Sequence, residues 1–508
     1  MRRALAGAAA LALPLGAVAC GDDDGAEVPA SASLVPADAP VFGQATVRPE
    51  GDQAEAAESA LSRLLNTDDS GAFLVEQLDT LLAEDDAGIA YSEDVEPWLG
   101  ESAGFFFTGF ADETDGAAVV EVTDESAAQA TVDKIERSEG SRGTEQSYDG
   151  IDYTRYESDS VVGFVDSFLV AGSESGFRDA VDASRGESLA DDDGYADELA
   201  TAPEDSLATL YANAPAVLDR LVEDGEITEG QRDETEERVG APVQQPAIAA
   251  LTAAEDSIAV QASAGAGDTP EPDESPLLRE LPADSWLAFG IDGLGEHLSD
   301  SFGNLEFSGG SGSAQLDEAT EELLGIRLSE LTSWIGDVGG YASGTSIFGL
   351  GTALELETID EDASATSVDN LQRSLSSIPS LRLEPLEGDE PGFTVSPSDA
   401  PVQIVVVQRQ GRVVAGLGEK SIDAVLEPDD TLDDSDAFGS AVDALGGDYA
   451  GSFFLDFEPM LELFESIGAD DDPDYQSAKP HLDHLDYVVT GHRREDDRNL
   501  IRLVLGLR

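Results

Sequence analysis

Cys20 is the only cysteine among 508 residues, and it stands where a thiol can be used covalently. Arg2 and Arg3 open the chain, residues 4–19 carry no charge, and the small residues Ala17 and Ala19 flank Val18 just ahead of Cys20. A basic start followed by a short apolar run is a targeting segment, below the ~18–20 apolar residues that span a bilayer as a helix. Cleavage before Cys20 would leave its sulfur to carry diacylglycerol and its freed amine to take another acyl chain. Two or three chains, at ~0.8 kcal/mol per buried CH₂, anchor a protein stably where one does not. Ordinary secretion is the competing reading, because Ala17-Val18-Ala19 also fits a plain cleavage site. The expectation is lipid attachment at Cys20 and an extracytoplasmic protein on the outer face of the cell membrane.

Other residues that could do chemistry each have a plainer explanation. His481, Asp483 and His484 could ligate zinc or nickel, but no third dedicated ligand is evident and a polar approach to a strand explains them. Gly416-Leu417-Gly418-Glu419-Lys420-Ser421 superficially resembles a phosphate loop. It lacks the required spacing, and Gly172-Ser173-Glu174-Ser175-Gly176 fills a similar turn without a lysine. The triplets Asp22–Asp24, Asp191–Asp193 and Asp470–Asp472 lack the pattern of a calcium loop and read as solvated acids. A glycosidase-like carboxylate pair cannot be picked out of 107 acids. Nucleophilic serine catalysis has few candidate bases, the histidines being His297, His481, His484 and His492. Trp98, Trp334 and the run Phe105-Phe106-Phe107 read as core before they read as a stacking site. No catalytic, metal or cofactor-binding residue is assigned, and no cofactor is expected.

The charge narrows the partners. Lys and Arg total 26 against 107 Asp and Glu, a formal net charge of −81. Nucleic acid is excluded, because no basic patch exists to displace phosphate counterions. Peripheral docking to anionic lipid is disfavoured for the same reason. The acidity implies a solvated surface surrounded by hydrated cations. With 41% apolar residues the chain can bury two sizeable cores, and no disulfide can staple them.

The elements that would position these residues occur twice. Pro36-Ala37-Asp38 recurs as Pro282-Ala283-Asp284, and Trp98-Leu99-Gly100-Glu101 as Trp334-Ile335-Gly336-Asp337. Asp124-Glu125 through Val132-Asp133 matches Asp360-Glu361 through Val368-Asp369, and Asp179-Ala180-Val181 matches Asp423-Ala424-Val425. Collinear matches of this span indicate two large repeats of one domain. Each repeat reads as a strand (41–47; 286–291), a leucine-striped helix (Phe73, Leu74, Leu78, Leu81, Leu82; Leu323, Leu324, Leu328, Leu331), further strands (118–122; 354–358), and a helix N-capped by Asp124 or Asp360. Hairpins follow, turning at Asp166-Ser167 and Gln410-Gly411. The expected fold is therefore α+β, a tandem duplication of an antiparallel-sheet-plus-helices domain. Its parts are a signal over 1–20, an acidic tether over 21–33, repeats over 34–263 and 279–508, and a linker over 264–278.

Leu34-Val35-Pro36-Ala37-Asp38-Ala39-Pro40-Val41, Ala45-Thr46-Val47-Arg48-Pro49 and Glu96-Pro97-Trp98-Leu99-Gly100-Glu101 resemble the uncharacterised family called domain of unknown function 3352. That resemblance implies a largely actinobacterial, secreted or lipid-anchored protein, and it carries no site residues. The functional expectation is a non-enzymatic binding or cell-envelope interaction module attached to the membrane through Cys20. A carrier of apolar envelope lipids and a carboxylate-dependent envelope hydrolase are the alternatives.

Overall fold

The computed structural model describes residues 28–84, 88–110, 115–139, 143–157, 159–267, 275–295, 327, 330, 332–387, 390–398, 400–446 and 449–508. Cys20, Asp22–Asp24, His297 and the leucine stripe at 323–331 lie outside them. The chain is α+β, and all the strand pairings named here are antiparallel. The chain forms two compact units that part at Thr269/Pro270, with Glu495–Leu500 and Leu507 belonging to the first.

The first unit runs β1 (Val41–Thr46), α1 (Gly51–Leu65), α2 (Ser70–Glu84), β2 (Leu99–Gly109), β3 (Asp115–Val122) and α3 (Glu125–Glu139). It continues with β4 (Thr144–Tyr148), β5 (Ile151–Arg155), β6 (Ser160–Val165), β7 (Phe168–Ser173), α4 (Glu174–Ala183) and α5 (Asp193–Leu199). β8 (Ala208–Ala212), α6 (Ala214–Glu223), α7 (Glu229–Val239), β9 (Ala247–Ala254) and β10 (Ser257–Gly265) complete it. In space the strands lie β4-β5-β6-β7-β3-β2-β1-β8-β9-β10.

Alternation along these strands builds a core on each face. Phe42, Phe106, Val119, Phe168, Val170 and Tyr211 join Phe177 of α4 and Tyr195 of α5 on one face. Val120, Val162 and Leu169 point the other way, toward Val132 of α3, Trp98 and Leu82 of α2. Leu82 and the partly buried Val75 and Leu78 form the inward stripe of α2. Leu81 is 60% exposed, because it lies about 60° around the helix from Leu78 and outside that stripe.

The second unit runs α8 (Pro276–Glu280), β11 (Ser285–Ile291), β12 (Ile335–Ser343), β13 (Gly351–Thr358), α9 (Glu361–Leu375), β14 (Leu381–Pro385) and β15 (Gly392–Pro397). β16 (Ile404–Arg409), β17 (Arg412–Leu417), α10 (Glu419–Leu426), α11 (Asp436–Leu445), β18 (Ala450–Asp456), α12 (Phe457–Ser466), α13 (Pro473–Leu482), β19 (Leu485–Glu495) and β20 (Arg498–Leu507) follow. Its sheet has the order β14-β15-β16-β17-β13-β12-β11-β18-β19. Trp334, Val338, Val368, Val406 and Val413 pack together under α9.

Local chemistry sets the element ends. Asp124 Oδ1 accepts from Ala127 N and Asp360 Oδ1 from Ala363 N, both at 3.0 Å, capping α3 and α9. The β6–β7 turn places Asp166 at φ 50°, and the β16–β17 turn places Gln410 and Gly411 at 54° and 74°, the left-handed backbone that tight hairpins need.

Candidate functional site

The sequence-selected residues divide into structural parts. Trp98 and Trp334 are 5% and 2% exposed. Their indole N–H groups donate to Thr131 Oγ1 at 3.0 Å and Ser367 Oγ at 2.9 Å, so both are plugs tied to the helix above. Gly418 sits at φ 73° ahead of α10, and a side chain on Gly172 would strike the Gly116 carbonyl, so both strand-to-helix turns require small residues. Asp191 bonds back to Ser188, while Asp192 caps α5 and Asp472 caps α13. These acids terminate helices. Asp483 receives Lys479 Nζ at 3.2 Å at the end of α13 beside His481 and His484. Among the described residues no cluster of three metal-ligating side chains forms.

Acids whose carboxyl groups burial pushes upward are Asp179 on α4, Glu355 on β13 and Asp456 on β18. Glu355 is the most perturbed, raised to about 7, but it is fully enclosed and bonded to Arg412. That enclosure suits a structural ion pair better than a hydrolytic cleft.

The feature that the sequence did not announce is a groove on the first unit's sheet. Two rows of side chains run across five strands on one face: Ala103, Ala45, Ala208, Leu251 and Val260, beside Phe105, Gly43, Leu210, Ala249 and Ala262. Every one is apolar or glycine. At ~4.8 Å between strands, the rows extend about 19 Å. This is the face that α3 covers over β3, β6 and β7, continued past the edge of that helix. Leu210 and Val260 are 46% and 42% exposed, and the space above the small residues has a volume of about 340 Å³. Gly43 accommodates the ring of Phe105, since a Cβ there would lie 2.4 Å from the ring edge. At the sides, α1 donates from Ser59 Oγ to the Glu255 carbonyl at 2.8 Å and from Gln53 Nε2 to that of Asp205 at 2.9 Å.

In the second unit the row related to Phe105, Gly43, Leu210 and Ala249 is Gly340, Phe289, Phe453 and Thr490, and Val338 and Ile291 stand where Ala103 and Ala45 do. Glycine and aromatic ring have exchanged strands: Phe289 now covers Gly340. Phe289 and Phe453 occupy the places held by Gly43 and Leu210, so this row carries two rings where the first unit's carries one. The signal for the groove was alanine at positions where an outward-facing strand should be polar, as in Ala-Ile-Ala-Ala-Leu-Thr-Ala-Ala of β9.

Fold and groove together define an α+β protein of two antiparallel-sheet units, the first bearing an apolar recess. The chain belongs to the DUF3352 family of proteins of unknown function, whose pattern matches residues 4–470. A search of curated proteins finds no match. Among solved structures, crystal forms IV and III of TP0453 are 13% and 15% identical. They cover 46% and 47% of this chain and 80% of their own, each at a TM-score of 0.25. Among the described residues no helix is long and apolar enough to cross a membrane.

Proposed function

We propose that the chain is a non-enzymatic, lipid-anchored extracytoplasmic binding protein, built from two copies of one α+β domain, whose first unit holds a neutral alkyl chain in the sheet groove. The groove carries this reading. Its volume of about 340 Å³ falls within the ~300–1,000 Å³ range of small-molecule sites, and its rows present no ionisable side chain. A net charge of −81 repels an anionic head group, and no cation lines the groove to offset that repulsion. The occupant is therefore an uncharged lipid rather than a fatty-acid anion. Attachment through Cys20 keeps the groove beside the membrane, where such ligands concentrate. The parallel element order, paired Asp caps and paired tryptophan plugs support descent of both units from one domain.

Native mass spectrometry of protein extracted gently from its own membrane tests the reading in one spectrum. The expected result is a chain beginning at an acylated Cys20 and carrying a neutral lipid. An unmodified Cys20, or a groove that retains only anionic lipid, overturns it.

A further inference from the structure

Beneath α8, the second unit encloses one carboxylate, Glu355, and links it through the partly buried Arg412 to the half-exposed Glu280. The Glu355 side chain is 0% exposed, and its Oε2 accepts from Arg412 Nη1 at 2.9 Å. Arg412 Nη2 also donates to Glu280 Oε2 at the end of α8, and the Glu280 side chain is 51% exposed. Glu355 Oε1 has no hydrogen-bond partner among the described residues. It lies against Gly339 of β12, next to Leu277 of α8.

We propose that Glu355 and Glu280 compete for the one guanidinium of Arg412, so that a proton on Glu355 locks α8 onto the second unit's sheet and loss of that proton loosens it. With Glu355 neutral, Arg412 and Glu280 form a balanced pair. With Glu355 ionised, two carboxylates face one cation and the buried cluster carries net negative charge, which a low-dielectric interior penalises. Glu280 is the partner able to leave, because it is half exposed and water can solvate it. Its departure cuts the ionic tie between α8 and β17. Leu277 and Leu278, 2% and 0% exposed, keep the helix nearby, so it loosens without leaving.

The other charged groups around the cluster are already engaged or point elsewhere. On α8, Arg279 pairs with Asp433 of the 3-10 turn Leu432–Asp434. On β12, Asp337 accepts from Ser275 Oγ at 2.8 Å and from Gly293 N at 3.1 Å. Glu357 on β13 accepts from Asp337 N at 3.4 Å and adds to the negative field. Burial pushes Glu355 up to about 7, against the lowering pull of Arg412, which sets the change near neutral pH.

Hydrogen exchange of the backbone over 276–281, measured on the full chain, tests the device. Wild type and Glu355→Gln are compared at equal pH, so the intrinsic pH dependence of exchange cancels. The expected ratio is near one at pH 5.5, where Glu355 is protonated, and about tenfold faster in wild type at pH 8.5, where it is ionised. A ratio that stays the same at both pH values overturns the proposal. Glu280→Gln, altered at a half-exposed site, gives a second reading if Glu355→Gln fails to fold. It removes the ionic tie itself, so the segment should be loosened to the same degree at both pH values; a wild-type rise with pH in this variant contradicts the mechanism.

Discussion

Val119, Phe168 and Leu34 lie in the apolar core of the first unit, whereas Glu355, Arg412 and Glu280 hold the related places in the second. The strand registers establish the relation. β3 and β7 pair Val119 with Val170 and Glu121 with Phe168, while β13 and β17 pair Glu355 with Val414 and Glu357 with Arg412. Leu34 precedes Val35, whose carbonyl accepts from Leu189 N at 2.8 Å; Glu280 precedes Leu281, whose carbonyl accepts from Leu432 N at 2.7 Å. One backbone arrangement thus tolerates a greasy or an ionic filling. The choice alters the response to pH and leaves the fold in place. The sheet face shows a second exchange, Gly43 with Phe105 against Phe289 with Gly340.

The features shared by the units should fail alike when broken. Trp98→Ala and Trp334→Ala should each cost up to about 5 kcal/mol, through lost burial and an indole-sized void, read as a lower urea midpoint. A large difference between them would mean that the plugs are not equivalent.

The interiors should then respond differently. Arg412→Ala strands the buried Glu355 carboxylate and should cost about 4 kcal/mol, whereas replacing all three charges together, as Glu280→Leu, Glu355→Val and Arg412→Phe, should be neutral or stabilising. Urea titrations of the single and triple variants separate these outcomes.

The larger pH response is expected in the second unit. Glu355 titrates at about 7 when folded, above the ordinary value of 4.5, so the folded state holds the proton more tightly. Its contribution is complete below about pH 4.5 and is lost as pH rises through 7. Relative to Glu355→Gln, wild type should lose about 3 kcal/mol between those limits, checked by urea unfolding at pH 4.5 and 8. The smallest effect lies at the helix starts: Asp124→Ala and Asp360→Ala should each cost about 1 kcal/mol in thermal unfolding.

Much of this scaffold was legible from local signals. Asp124 and Asp360 were readable as caps because a carboxylate before a helix has few better uses, and Val132, Ile135, Val368 and Leu371 because helical spacing marks a buried face. Asp166 and Gln410-Gly411 announced hairpins. The groove and the ionic cluster were not legible, because both depend on registers between strands distant in sequence. Phe105 illustrates the difficulty. Matching Gly104-Phe105 to Gly340-Tyr341 in sequence aligns Phe105 with Tyr341, yet Tyr341 lies in the buried row with Ala288, as Phe106 does with Phe42. The irregularity between Leu99 and Ala103 takes up two extra residues and that between Ile335 and Val338 one, which leaves the two strands out of step by one residue and turns Phe105 outward onto the groove face.

The most direct measurement is a titration of the purified chain with a neutral alkyl fluorophore and its carboxylate analogue. Wild type should bind the neutral probe and discriminate against the anion. Leu210→Asp should abolish binding with little change in stability, and Phe348→Asp, at a fully exposed residue of the second unit, should leave binding intact. Equal affinity for both probes, or binding that survives Leu210→Asp, would contradict the account.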